Sequence, residues 1–214
     1  MKYSLYVVLA TAPVLAQSLS IGVKAGIPPG TAFNASSLVN LTSNAQRYLV
    51  GGTVELHLPL RFSVELDGIY KRTGYSTFLQ SLGIGSITSR VAANQWEFPV
   101  LAKYEILGGP VRPFIDAGPV LRHLSGITDS STYLSLLPST ANSIVTTTNN
   151  SPDLLHRNTP GVAVGAGITL KLSSIRISPE IRYTRWGTNT FQIGQSRSST
   201  SNPNQEDVIF GITF

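Results

Sequence analysis

From residue 19 to residue 214 the chain repeats one pattern eight times: an apolar side chain at every second position, on a face that carries no charge. A period of two belongs to β-strands, whose successive side chains point to opposite faces; a helix would show a period of 3.6. The segments run Leu19–Ile27, Tyr48–His57, Phe62–Lys71, Gln95–Tyr104, Pro113–Arg122, Gly161–Lys171, Ile175–Tyr183 and Asp207–Phe214. The opposite face carries Glu55, Glu65, Asp67, Glu97, Asp116, Glu180 and Asp207 together with Lys24, Lys71, Lys103, Arg122, Lys171, Arg176 and Arg182, seven acids against seven bases. A one-residue slip would exchange the two faces, so the register is strongly specified. Leu49, Leu101, Val120 and Ile209 break the alternation by standing on the charged face. Pro99, Pro119 and Pro179 fall inside segments, where a missing backbone donor predicts bulges or local distortions.

The connections alternate long and short: 28–46, 57–61, 72–94, 105–111, 123–159, 172–174 and 187–206. Loops beyond ~12–15 residues are uncommon in compact domains, yet here every other one is long. An up-and-down meander gathers the long loops at one end and the short turns at the other. Charged residues are only 13% of the chain, against ~25% in a usual soluble domain, while mean hydropathy is a modest +0.12. These values exclude a helical membrane protein and fit a surface that faces something other than water. The expectation is an all-β fold: an eight-stranded antiparallel up-and-down transmembrane β-barrel, with four long external loops, short periplasmic turns and the charged face turned inward, as in bacterial outer-membrane barrels.

The N-terminus reads as an address. Lys2 precedes a short apolar run from Leu5 to Leu15, and Val14-Leu15-Ala16 supplies small residues before a cut. The run is shorter than the ~20 residues of a membrane-spanning helix. Residues 1–16 are therefore expected to be a signal peptide and 17–214 the barrel domain. The absence of cysteine excludes disulfides, thiolate metal sites and a Cys nucleophile, and only His57, His123 and His156 are present. No metal or other cofactor is expected. The net charge of +5 comes with no basic run, so no nucleic-acid partner is expected either.

The final strand, Val208-Ile-Phe-Gly-Ile-Thr-Phe214, resembles the C-terminal signature of outer-membrane barrels. Trp96-Glu-Phe-Pro-Val-Leu-Ala-Lys-Tyr104, followed by Arg112-Pro-Phe-Ile-Asp-Ala-Gly-Pro119, is similar to the adjacent central strands of small OmpA-like proteins of the outer membrane protein beta-barrel domain family. Ser178-Pro-Glu-Ile-Arg-Tyr183 fits their seventh strand. The resemblance implies location in the bacterial outer membrane, contact with its lipid, and recognition of Phe210, Ile212 and Phe214 by the barrel-assembly machinery. It also implies a monomer whose loop partners are unspecified. No soluble domain follows Phe214, so a peptidoglycan-binding role is not expected.

Three candidate chemistries stand out. Gly161-x-x-x-Gly165-x-Gly167 lacks the Gly-Lys-Ser/Thr ending and the following helix of a phosphate loop; small residues there leave lumen room for charged side chains. His123 and Ser125 share a face, as in the His/Ser pair of lipid A deacylases, but a nucleophilic serine needs a base and the base an orienting acid. Asp129 is the nearest acid in sequence. The lumen charges Lys24, Glu65, Asp67, Lys103, Asp116, Glu180 and Arg182 are expected to pair, because an eight-stranded barrel is only wide enough for its side chains to fill. The leading expectation is therefore a non-enzymatic, loop-displaying barrel with a filled lumen. The alternatives are a deacylase-like membrane enzyme using His123 and Ser125, and a secreted lipocalin-like barrel binding an apolar ligand. Trp96, Tyr70 and Tyr183 are expected in an outer aromatic girdle.

Overall fold

In the computed structural model, eight strands close on themselves: β1 (Leu19–Ile27), β2 (Leu49–His57), β3 (Phe62–Ser81), β4 (Gly85–Glu105), β5 (Val111–Ser135), β6 (Asn158–Leu172), β7 (Ile175–Trp186) and β8 (Asn204–Thr213). The structure describes residues 19–29, 33–34, 40–43, 48–81, 85–135, 143–148, 155–188, 192–193 and 199–214. The expected signal peptide and its cleavage site lie outside these residues. Each strand pairs antiparallel with the next, and β1 closes the circle against β8 from Gly22↔Thr213 to Ile27↔Val208. Closure satisfies the ladder hydrogen bonds of every barrel strand and leaves no sheet edge in the lipid.

Three tight turns join strands at one end. Residues 58–61 turn through Leu60 and Arg61 at positive φ, and Arg61 Nη1 donates to the Ile106 carbonyl of the neighbouring turn at 3.1 Å. Gly109, with φ 115°, shapes that second turn, where Arg112 Nε donates to the Gly109 carbonyl at 2.7 Å. Ser173, with φ 54°, makes the third.

The other end differs from the sequence expectation. Residues 72–94, read as a loop, belong largely to β3 and β4, whose ladder continues from Arg72↔Asn94 to Ser81↔Gly85. Likewise β5 runs to Ser135. The alternation fades there because Arg72, Ser76 and Arg90 take outward positions that apolar residues fill lower down, while Val91 and Ala93 remain buried on the inner face. Short strands flank this extension: Asn40–Ser43 pairs with β3, and Ser143–Thr148 pairs with β5. A separate three-stranded patch joins Phe33–Asn34 and Gln192–Ile193 to Ser199–Ser201.

The prolines cause no register shift. Pairing has the same offset on either side of Pro99 and Pro179, with ladder pairs missing only locally, and runs unbroken through Pro119↔Val162. The observed bulge lies elsewhere, between Ala92↔Thr128 and Asn94↔Ser125, where β5 has one extra residue. Gly126 sits there with φ +56°, a left-handed conformation suited to a glycine bulge. Side-chain parity reverses across it, so Leu124 and Ile127 both point inward.

Candidate functional site: a charged lumen and an apolar wall

The apolar face is the outer one. Ile21, Val23, Leu66, Phe98, Val100, Ile115, Val164, Ile181 and Phe210 are all exposed, whereas twelve of the fourteen charged residues opposite them are buried; Lys171 is exposed and Arg176 half-buried, both beside the third tight turn. A lipocalin-like barrel would need the opposite arrangement, so that alternative is overturned. Tyr70, Trp96 and Tyr183 also face outward on their strands. Tyr70 Oη donates to Asn94 Oδ1 at 2.9 Å and Tyr183 Oη to Asn204 Oδ1 at 2.8 Å, each ring joining an apolar body to a polar tip. Phe210, Ile212 and Phe214 alternate outward along β8 and stand exposed to the lipid.

Inside, strand shear brings together residues far apart in sequence. Lys24 from β1 ion-pairs with Glu65 and Asp67 of β3, the latter at 3.1 Å, and with Glu180 of β7 at 3.3 Å. Arg182 faces the same three acids: Nε donates to Glu180 at 2.5 Å, Nη1 to Asp67 at 2.9 Å and Nη2 to Glu65 at 3.3 Å. Lys103 reaches Glu65 at 3.1 Å and Glu55 at 3.5 Å, and lies 4.2 Å over the Phe114 ring. Nearer the short turns, Arg176 Nη1 donates to Ser20 Oγ and His57 Nε2.

Asp116 differs from its neighbours. It is buried, yet neither carboxylate oxygen has a hydrogen-bond partner among the described residues. Its cross-strand partner Lys103 turns to Glu65 and Glu55 instead. A Cβ placed on Gly165 would lie 2.5 Å from Asp116 Oδ1 and 2.9 Å from Glu180 Oε1, so the glycine leaves a notch across which two carboxylates face each other. Gly167 similarly makes room for the Phe114 ring and Gly161 for Trp186. The glycine motif on β6 thus serves lumen packing.

A second ionic cluster sits toward the long connections. Lys71 pairs with Asp207 at 2.7 Å and Glu97 at 3.0 Å. Gln205 donates to Asp207 at 2.8 Å and Glu97 at 3.1 Å, and accepts from Arg122 Nη2 at 2.7 Å. The Arg122 guanidinium stacks 3.6 Å over Trp186. These residues stand outside the seven expected to share the lumen network. Gln205 and Trp186 lie beyond the segments read as strands, and only their parity with Asp207 and Arg182 could have signalled them.

Between the two clusters the interior is mostly apolar, with Thr184 of β7 buried opposite Ala163. Leu49, Ile69 and Ile209 form one buried group, and Leu101, Val120, Ala163 and Trp186 another. Ile69 separates Asp67 from Lys71 on β3, Leu101 separates Glu97 from Lys103 on β4, and Val120 separates Asp116 from Arg122 on β5. Leu49, Leu101, Val120 and Ile209, the exceptions to alternation in the sequence, all belong to this belt.

His123 and Ser125 point outward together, but their surroundings differ from a triad. His123 Nδ1 is held against Asn158 Oδ1 at 2.7 Å. The bulge at Gly126 puts Asp129 on the inner face, paired with buried Val91, so Asp129 is on the side of the sheet away from His123.

The family model described as "Outer membrane protein beta-barrel domain" matches residues 15–192. Among solved structures, the outer membrane protein OprG of Pseudomonas aeruginosa is similar over 92% of this chain and 94% of its own, with a TM-score of 0.51 and 14% identity. Neisserial surface protein A, from Neisseria, is similar over 92% of this chain and 97% of its own, with a TM-score of 0.49 and 10% identity. No curated protein matches. With its closed eight-stranded sheet, apolar outer wall and charged interior, the chain belongs to the outer membrane protein beta-barrel domain family and resides in the bacterial outer membrane.

Proposed function

We propose that this protein is a non-catalytic, non-conducting, monomeric barrel that anchors an external β-sheet and its loops in the outer membrane. The observation that carries this reading is the apolar belt of Leu49, Ile69, Ile209, Leu101, Val120, Ala163 and Trp186 across a lumen otherwise filled by ion pairs. Side chains that fill an eight-stranded barrel leave ions no continuous polar path, and apolar constrictions oppose wetting. The tight turns face the periplasm in this proposal, the long connections face outward, and the Phe210-Ile212-Phe214 face of β8 is read by the barrel-assembly machinery. The seven residues Lys24, Glu65, Asp67, Lys103, Asp116, Glu180 and Arg182 serve the barrel as structure. The Asn158 contact of His123 and the inward position of Asp129 support the absence of catalysis at Ser125. Planar-bilayer recording of the purified protein tests the reading. No stable conductance is expected; channels of porin size in the native barrel would overturn it.

A further inference from the structure

The ionic cluster toward the short turns is unbalanced. Glu55, Glu65, Asp67, Asp116 and Glu180 stand there against Lys24, Lys103 and Arg182, and all eight are buried. Each cation is already engaged: Lys24 and Arg182 with Glu65, Asp67 and Glu180, and Lys103 with Glu65 and Glu55. Nearer the mouth, Arg176 donates to Ser20 and His57, and Arg112 pairs with Glu105 at 2.9 Å. Even with Arg176 counted, the buried acids exceed the bases by one. A buried charge is costly unless it is paired or holds a metal ion.

The excess is localised at Asp116. The residue is 4% exposed, and both of its carboxylate oxygens lack a hydrogen-bond partner among the described residues. Its two cross-strand neighbours are Lys103 on β4, which turns to Glu65 and Glu55, and Gly165 on β6, which has no side chain to offer. Gly165 is also the direct neighbour of Arg182 on β7, whose guanidinium turns to Glu180, Asp67 and Glu65. Asp116 Oδ1 and Glu180 Oε1 thus converge over Gly165, 2.5 and 2.9 Å from the place a Cβ would take. Glu180 Oε1 accepts from Arg182 Nε and keeps a second lone pair. The notch therefore presents three hard oxygen donors, two from Asp116 and one from Glu180, and no nitrogen or sulfur.

We propose that the notch between Asp116 and Glu180 binds one sodium ion, its coordination completed by water. Carboxylate oxygens suit hard cations. Lys24 and Arg182 already stand on Glu180, so a divalent ion would face two fixed positive charges. Among the described residues no three His, Asp or Glu side chains are grouped to hold a metal ion, which leaves a donor set too small for a divalent site. A bridging water donates to both carboxylates but leaves the excess charge in place. A proton removes that charge but engages fewer of the three oxygens than a metal ion does. The apolar belt closes the notch toward the long connections, so the ion arrives from the short-turn side, where Arg112, Arg176 and His57 are half-buried. Such a dead-end site adds a counter-ion to the lumen without opening a path through it.

Urea unfolding of the full chain in lipid vesicles tests the site, in mildly alkaline buffer with sodium chloride exchanged stepwise for N-methylglucamine chloride at constant ionic strength. The native midpoint should rise by about 0.5 M or more as sodium saturates the notch, and the unfolding constant should fall with a slope of about one in log sodium, one ion released per barrel. Asp116→Asn keeps the side-chain shape and should lose the sodium response; without sodium it should be the more stable protein. Gly165→Ala puts a Cβ where the Asp116 carboxylate lies and should lose the response as well, and Asp116→Asn decides alone if that variant does not fold. Glu206→Gln, exposed on the outer face, should respond as the native chain does. A native midpoint indifferent to sodium would overturn the proposal and leave a proton or water in the notch. An equal response in Asp116→Asn would overturn it as a general salt effect.

Discussion

Arg182→Met removes a lumen cation that pairs with three carboxylates. Its side chain is 3% exposed and contacts Glu65, Asp67 and Glu180. The cluster toward the short turns holds Glu55, Glu65, Asp67, Asp116 and Glu180 against Lys24, Lys103 and Arg182, so acids already outnumber bases. Lys24 faces the same three carboxylates and cannot supply a second charge. Methionine fills much of the arginine volume, so the loss is chiefly electrostatic. Stranding a buried partner costs about 3–5 kcal/mol. At about 1–3 kcal/mol per molar urea, the unfolding midpoint in lipid vesicles should fall by at least 1 M. Tryptophan fluorescence provides the signal, and gel heat-modifiability gives an independent reading. Adding Glu180→Gln should recover part of the loss, because it removes one stranded carboxylate; the double-mutant cycle measures how much. An unchanged midpoint in Arg182→Met would refute the network's structural role at this position.

In sodium-free buffer Asp116→Asn should stabilise the barrel by about 1–3 kcal/mol, since Asp116 faces the Glu180 carboxylate across the Gly165 notch and like charges at such range repel on that order in an effective dielectric near 20; an unchanged or lowered urea midpoint would count against this. Gly126→Ala should cost about 1–2 kcal/mol, the left-handed penalty, because its Cβ would also lie 2.8 Å from Asn94 Nδ2; thermal unfolding checks it. Ser139→Cys should react with an impermeant thiol reagent on intact cells, while Gly108→Cys and Ser173→Cys should not, and the reverse pattern would invert the proposed orientation. Intact-mass measurement of membrane-purified protein should give a chain beginning at Gln17, within two residues.

The membrane-embedded strands are legible because lipid and lumen demand opposite side chains, as Phe62 to Lys71 illustrates residue by residue. The same contrast locates the charged face and hence the network's members. Ion-pair partners are less legible: Lys24 and Glu180 meet through β8 and β1 across a separation of 156 residues, and the closing register decides which acid each base reaches. The isolation of Asp116 depends on Lys103 choosing Glu65 over its direct cross-strand neighbour, which no alternation encodes. The upper parts of β3, β4 and β5 escape sequence reading for the reverse reason. Ser76, Arg90 and Ser130 are partners across the ladder on the outer face, where a membrane-embedded strand would carry apolar side chains, so the alternation is lost there. Gly126 carries the one local cue to the bulge, but glycine is also frequent on the inner face of β6.

β3 and β4 continue eleven residues past Tyr70 to Ser81 and Gly85. At ~3.3 Å per residue and a tilt of ~45°, that places the hairpin tip roughly 25 Å above the aromatic rim. A headgroup layer occupies only ~5–8 Å on each side of the hydrocarbon. The tip therefore clears the lipid surface by more than the layer's own depth. Asn40–Ser43 flanks this mast on the β3 side, and β5 followed by Ser143–Thr148 flanks it on the β4 side, so in the proposed orientation a macromolecule approaching from outside meets a hydrogen-bonded plank held at fixed stand-off before it meets the membrane.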